Sequence, residues 1–225
     1  LIVEPLVLGA GGMRMYGPDV LKALRQSCAR RGVLFIADEV MTGFGRTGTM
    51  FACEQAGVSP DILCLSKGIT GGFLPLGATL VSQEVFEAFR GEDPAKTFFH
   101  GHSYTGNPIA CAAALASLAL FDEEPVFARI SRIADIHRRE LKRFAGRSHV
   151  ADARQTGTIA ALELRVTDAG YLSGLGPRLS RFYLSRNVLL RPLGNVVYLL
   201  PPYCSSEEEL VHAYDVLEES LSLID

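Results

Sequence analysis

The chain has 225 residues, 48% of them apolar and 21% charged, an ordinary globular composition with enough length to bury a core in one or two domains. A formal net charge of −3 leaves no electrostatic footprint for nucleic acid, and no apolar run is long enough to span a bilayer. Five scattered cysteines suit reduced thiols in a cytoplasmic protein better than a disulfide framework or a zinc site.

Residues 1–8 read as a strand, which opens at Leu1-Ile2-Val3 without an initiator methionine, a signal-peptide pattern or a preceding turn. A strand needs neighbours to pair with, so the expectation is a later part of a longer chain. Pro18 suits the first turn of a helix over residues 18–31, which Gly32 ends. A strand over 33–37, a short helix over 51–55, strands over 62–65 and 76–81, and a helix over 84–89 follow. Asn107-Pro108 is a strong helix start, with a capping side chain ahead of proline; the helix to about residue 121 is rich in alanine. An amphipathic helix follows over 125–144. Beyond it lie strands within 150–164 and 188–200 and helices near 177–186 and 206–223. The alternation predicts an α/β fold with a mainly parallel sheet covered on both faces over residues 1–145, and a small α+β domain over 146–225.

Two positions stand out chemically. Asp38 follows the apolar run Val33-Leu34-Phe35-Ile36-Ala37, at the strand end where open α/β sheets place their ligands. Lys67 follows Ile62-Leu63-Cys64-Leu65-Ser66 and precedes the glycine-rich Gly68-Ile69-Thr70-Gly71-Gly72. A lysine amine in such a place can attack a carbonyl to form a Schiff base. In pyridoxal phosphate enzymes that lysine holds the cofactor while a carboxylate faces the pyridine nitrogen. The plainer alternatives are a turn acid after a strand and a solvated loop lysine. Glu39 could orient the loop or the surroundings of the cofactor.

Thr42-Gly43-Phe44-Gly45-Arg46-Thr47-Gly48 looks like a phosphate cradle but lacks the lysine and spacing of a P-loop, and Gly9-Ala10-Gly11-Gly12 has Arg14 where a dinucleotide turn needs its third glycine. His100-Gly101-His102-Ser103-Tyr104 offers hydroxyls and amides before a helix, which suits a phosphate. The two histidines lack a third ligand nearby, so no metal site is expected. Arg191 ends Val188-Leu189-Leu190, where its fork could grip a substrate carboxylate or form a structural ion pair. Tyr198 and Tyr203 could line a pocket, with core packing the default for Tyr198.

The order of Glu4-Pro5, Gly11-Gly12, Ala37-Asp38-Glu39-Val40, the Thr42–Gly48 loop, Pro60-Asp61-Ile62, Lys67-Gly68 and Gly106-Asn107-Pro108 resembles the class III pyridoxal phosphate aminotransferases, the ornithine/ω-amino acid group. Gly9–Tyr16, His100–Tyr104, Arg191-Pro192-Leu193-Gly194 and Tyr198–Tyr203 are most similar to its biotin-forming branch. The resemblance implies a fold-type I transferase with pyridoxal 5'-phosphate, in which Lys67 is the Schiff-base lysine and Asp38 the pyridinium partner. It implies that Ser103 binds cofactor phosphate across a homodimer interface, with His102 also at the cofactor. Arg191, Tyr198 and Gly101 would then contact the substrate, 8-amino-7-oxononanoate, with S-adenosylmethionine as the amino donor.

Met41 stands where many members of the family carry glutamine, which favours that branch over ornithine-type enzymes. The family's earlier half, with its Gly-Ser phosphate loop and ring-stacking aromatic, is not in this sequence. The alternatives are another class III ω-amino acid or diamine transaminase, and a non-catalytic fragment serving as a folding or interaction module.

Overall fold

The computed structural model describes residues 1–101, 103–167 and 174–224. Its strands are β1 (Ile2–Val3), β2 (Val7–Leu8), β3 (Arg14–Met15), β4 (Ile36–Asp38), β5 (Ile62–Leu65), β6 (Ala78–Val81), β7 (Val150–Thr156), β8 (Ile159–Leu164) and β9 (Val196–Leu199). Its α-helices are α1 (Pro18–Arg30), α2 (Ala52–Gln55), α3 (Gln83–Ala88), α4 (Pro108–Glu123), α5 (Val126–Glu140), α6 (Leu175–Leu184) and α7 (Glu207–Ser220). None of the described helices is long and apolar enough to cross a membrane.

The chain forms two compact units. The first comprises Leu1–Leu6, Tyr16–Gly45 and Thr49–Pro125. Its sheet runs β1-β4-β5-β6. The first three strands are parallel and β6 is antiparallel to β5, so the expected mainly parallel sheet is present. Phe35 and Ala37, two positions apart and so on one face, are fully buried, while Ile36 and Asp38 on the other face of β4 are half-buried. Asp61 helps set the register: its carboxylate accepts the Phe35 N–H at 2.7 Å and pairs with Arg25 at 3.1 Å. Pro18 opens α1, and Gly32 turns left-handed (φ 62°) just past its end.

The second unit comprises Val7–Met15, Arg46–Gly48 and Val126–Asp225. It holds the antiparallel sheet β7-β8-β9 and the β2–β3 hairpin. Helices α6 and α7 contribute Leu179, Tyr183, Tyr214 and Leu217 to a core shared with Phe144, Leu162 and Val197. Ser206 caps α7 in a reciprocal capping box with Glu209.

Four sequence expectations shift. The strand over residues 1–8 is two short strands, because Leu6 is left-handed (φ 64°) and breaks the run. The strand expected over 33–37 is found at Ile36–Asp38, and of the 188–200 stretch only Val196–Leu199 forms a strand. The 125–144 helix is regular to Glu140 and tightens into a 3-10 turn over Leu141–Phe144. The units divide after Pro125 rather than near Gly146, because Ile133 and Ile136 of α5 pack with Leu210 of α7.

Candidate active site

β4 and β5 are parallel, with Asp38 opposite Cys64 in register, so their carboxyl ends lie on one edge of the sheet. Asp38 is the last residue of β4, and Lys67 follows the end of β5 by two residues. The sheet thus brings this pair to the same edge, where open α/β sheets bind ligands. Asp38 is half-buried; its Oδ1 accepts the Val40 N–H at 3.1 Å, which fixes the carboxylate at the strand end. Lys67 is exposed and opens a 3-10 turn (Lys67–Thr70) with a left-handed backbone, φ 45°. Its amine has no hydrogen-bond or ion-pair partner among the described residues. A non-glycine residue in that region of backbone space is uncommon and points to a local constraint.

Glu39 has a different job from its neighbour. It is fully buried, and its carboxylate accepts the Thr42 hydroxyl at 3.0 Å and the amides of Ala52 and Cys53 at 2.8 Å each. It therefore satisfies the first amides of α2 and fastens the glycine-rich loop to the end of β4. Burial, followed by the Glu39 charge, pushes the Cys53 thiol well up, so this cysteine stays protonated.

Gly101 and Ser103 are exposed on the segment before α4, and His102 lies outside the described residues. Asn107 Oδ1 accepts the Ile109 and Ala110 amides at 3.0 and 3.2 Å, and Pro108 has no N–H to give. The Ile109 and Ala110 amides at this helix start are thus taken by Asn107. Arg191 and Tyr198 belong to the second unit. Arg191 is exposed and has no ion-pair partner among the described residues; Tyr198 is half-buried in β9, opposite Ala161 in register. A cleft of about 290 Å³ in that unit, lined by Gly11, Gly12, Arg14, Glu163, Asn195 and others, contains none of these residues.

Comparison with known proteins decides the family. The class-III aminotransferase family model matches residues 1–221. The chain belongs to the class-III aminotransferases. It is 49% identical over 225 residues to an adenosylmethionine-8-amino-7-oxononanoate aminotransferase of Synechococcus elongatus, matching all of this chain and 52% of the relative. It is 46% identical to the protein of that name in Geobacter sulfurreducens, over all of this chain and 51% of the relative. Among solved structures, the enzyme of that name from Methanocaldococcus jannaschii superposes with TM-score 0.93 at 39% identity, over all of this chain and 53% of that one. An amine transaminase from an uncultivated Pseudomonas species, solved in its PLP-bound form, gives TM-score 0.91 at 38% identity, over all of this chain and 52% of that one. The chain spans about half the length of the curated relatives it matches.

In this class-III aminotransferase chain, residues that sequence reading passed over hold the second unit together. Arg46, singled out only as a cation in a glycine-rich loop, donates to the Thr158 hydroxyl and the Pro201 carbonyl, each at 2.9 Å, and stacks on Tyr203 at 4.7 Å. Burial lowers its pKa. It is committed to these partners rather than to a phosphate, and Tyr203 is its aromatic seat. Arg154 donates to the carbonyls of Gly12 and Met13 at 2.7 Å each, which anchors the β2–β3 hairpin. His137 is fully buried between Tyr214 (2.7 Å from Nδ1) and the Thr158 carbonyl (3.3 Å from Nε2). A carbonyl only accepts, so Nε2 carries the proton and Nδ1 accepts from the tyrosine. The residues that sequence could link to these are 21 to 155 positions away, so no local motif signals them.

Proposed function

We propose that this chain forms part of a pyridoxal 5'-phosphate-dependent aminotransferase that transfers an amino group from S-adenosylmethionine to 8-amino-7-oxononanoate, giving 7,8-diaminononanoate. The observation that carries the reading is the pairing of an acid and an unpartnered lysine on one edge of a parallel sheet. The relatives at 46–49% identity supply the substrate class. The chemistry of the donor set fits the cofactor: an amine able to attack an aldehyde, a carboxylate able to hold a proton on a ring nitrogen, and a hydroxyl beside a helix start for a phosphate.

When bound, pyridoxal phosphate supplies a pyridinium ring that takes up the electron pair released when a proton leaves the carbon bearing the amino group. Lys67 holds the cofactor and, once displaced by substrate, carries that proton on its Nζ. Asp38 keeps the ring nitrogen protonated, and its hydrogen bond from Val40 holds the carboxylate in place. Ser103 donates to the phosphate, and Gly101 makes room for the substrate. Arg191 grips the carboxylate of the oxononanoate with its planar fork, and Tyr198 lines the same site. The working form is a cytoplasmic homodimer of the relatives' full length, which the five free thiols and the exposed apolar side chains Phe73, Phe99 and Ile109 support.

A second reading, a transaminase for ω-amines, draws on the structural likeness to the amine transaminase. An assay of the full-length protein separates the two. On the first reading, 8-amino-7-oxononanoate is aminated, and Arg191→Ala raises its KM by 10-fold or more, roughly the 1.5–3 kcal/mol of a charged hydrogen-bonded contact. An unchanged KM removes the carboxylate assignment and favours the ω-amine reading.

A further inference from the structure

We infer that Phe44 is a positioning residue for Lys67, an inference that rests on Lys67 being the cofactor lysine. Phe44 (φ 55°) and Lys67 (φ 45°) both have left-handed backbones, a conformation that disfavours any residue with a Cβ and a bulky one most. The two meet through Gly68. A Cβ at Gly68 would stand 2.8 Å from Phe44 Cδ2, 2.9 Å from its Cβ and 3.1 Å from its Cγ. The phenyl group therefore rests on the bare Cα of the residue that follows the lysine. It cannot swing clear: Phe44 is 4% exposed and meets Phe51 edge-on, with ring centroids 5.6 Å apart.

Both sides of this contact are tied down. On the loop side, the Gly43 amide donates to the Glu39 carbonyl at 3.0 Å and the Gly45 amide to the Met50 carbonyl at 3.2 Å. The Glu39 carboxylate binds Thr42 in the same loop and Ala52 and Cys53 at the start of α2. On the lysine side, the Ser117 hydroxyl donates to the Gly68 carbonyl at 3.3 Å, and the Lys67 carbonyl accepts the Gly72 amide at 3.2 Å. Gly68 is thus held between the Phe44 ring and Ser117, and Lys67 cannot relax to an ordinary backbone without dislodging it. Because Glu39 directly follows Asp38, one loop fixes both the acid and the direction in which the amine leaves the sheet. Glycine at 68 is needed for close approach rather than for its own dihedrals.

The test uses the full-length protein stripped of cofactor and then mixed with pyridoxal phosphate. Capture by Lys67 is followed as adduct fixed by borohydride, alongside the pH titration of the bound cofactor's absorbance. Phe44→Ala should slow capture roughly tenfold, the scale on which one left-handed residue is disfavoured, and shift the absorbance titration. Phe44→Leu, which keeps much of the bulk, should restore most of both. Gly68→Ala should be severe alone and cost less on top of Phe44→Ala, which removes the ring atoms at 2.8 and 3.1 Å and leaves only the Cβ at 2.9 Å. Additive effects of the two substitutions, or a folded Phe44→Ala with unchanged capture and titration, would overturn the inference. If Phe44→Ala does not fold, unchanged capture in both Phe44→Leu and Gly68→Ala overturns it as well. Absence of any Lys67-dependent adduct in the unsubstituted protein would instead remove the cofactor reading on which the inference stands.

Discussion

Asp38 and Cys64 sit opposite one another at the carboxyl end of the parallel pair β4–β5, close enough that the Asp38 charge adds to burial in pushing the Cys64 thiol up. The acid is thereby fixed to the strand that leads directly into Lys67. Asp38→Asn keeps an oxygen to accept the Val40 amide, so the fold should survive while the negative charge is lost. The expected result is a fall in kcat/KM of about 10² to 10⁴, the range typical for removing a positioned acid–base group, with an unchanged denaturation midpoint. A rate within a factor of two of the parent would show that Asp38 is a turn acid only.

Gly157 tests how the Arg46–Gly48 segment is seated within the second unit. Gly157 is left-handed (φ 53°), and a Cβ there would lie 2.3 Å from the Thr47 carbonyl carbon and 2.5 Å from the Arg46 carbonyl oxygen. Both are backbone atoms, which cannot rotate away. Gly157→Ala should cost roughly 2–4 kcal/mol, combining backbone strain with a core clash. Gly146 is the control: it is also left-handed (φ 75°), but nothing lies within 4 Å of its missing Cβ. Gly146→Ala should cost only about 1 kcal/mol. Urea midpoints of the two variants would settle the comparison; equal losses would mean that the packing contact contributes nothing.

His137 makes stability depend on pH. Burial, with a smaller contribution from the nearby Arg46 charge, lowers its pKa to about 4, against about 6.5 in an unfolded chain. As pH falls from 6.5 towards 4, the unfolded state takes up a proton that the folded state refuses, so stability is lost across that window. The loss should approach roughly 3 kcal/mol, at 1.36 kcal/mol per pKa unit. His137→Gln, which cannot titrate, should be less stable at pH 7.5 yet show a shallower decline between pH 6.5 and 4. Chemical denaturation across this range, with a parallel slope in both proteins, would rule His137 out as the source.

The chemistry-bearing strand ends were legible because they are local: apolar runs closing on Asp38 and on Ser66-Lys67, with β5 covering the same Ile62–Leu65 that the pattern indicates. The Asn107-Pro108 start of α4 was legible for the same reason, since a cap and its helix share a few residues. Leu6 was not, because a left-handed leucine inside an apolar run leaves no trace in composition. Arg46, Arg154 and His137 were missed as structural residues because each is explained by carbonyls or hydroxyls brought in from distant parts of the chain. Glu39 was half legible: its position beside Asp38 suggested a loop-orienting acid, but two of its three partners are the first amides of α2, brought back by a loop whose path the sequence does not show.

The most direct test of the central claim, that Lys67 is the amine that holds the cofactor opposite Asp38, is peptide mapping. The full-length protein loaded with pyridoxal phosphate would be reduced with borohydride, digested and analysed by mass spectrometry. The reduced cofactor is expected on the peptide that contains Lys67, and is expected to disappear in Lys67→Ala. Labelling at Lys22, Lys96 or Lys142 with Lys67 unmodified would contradict it.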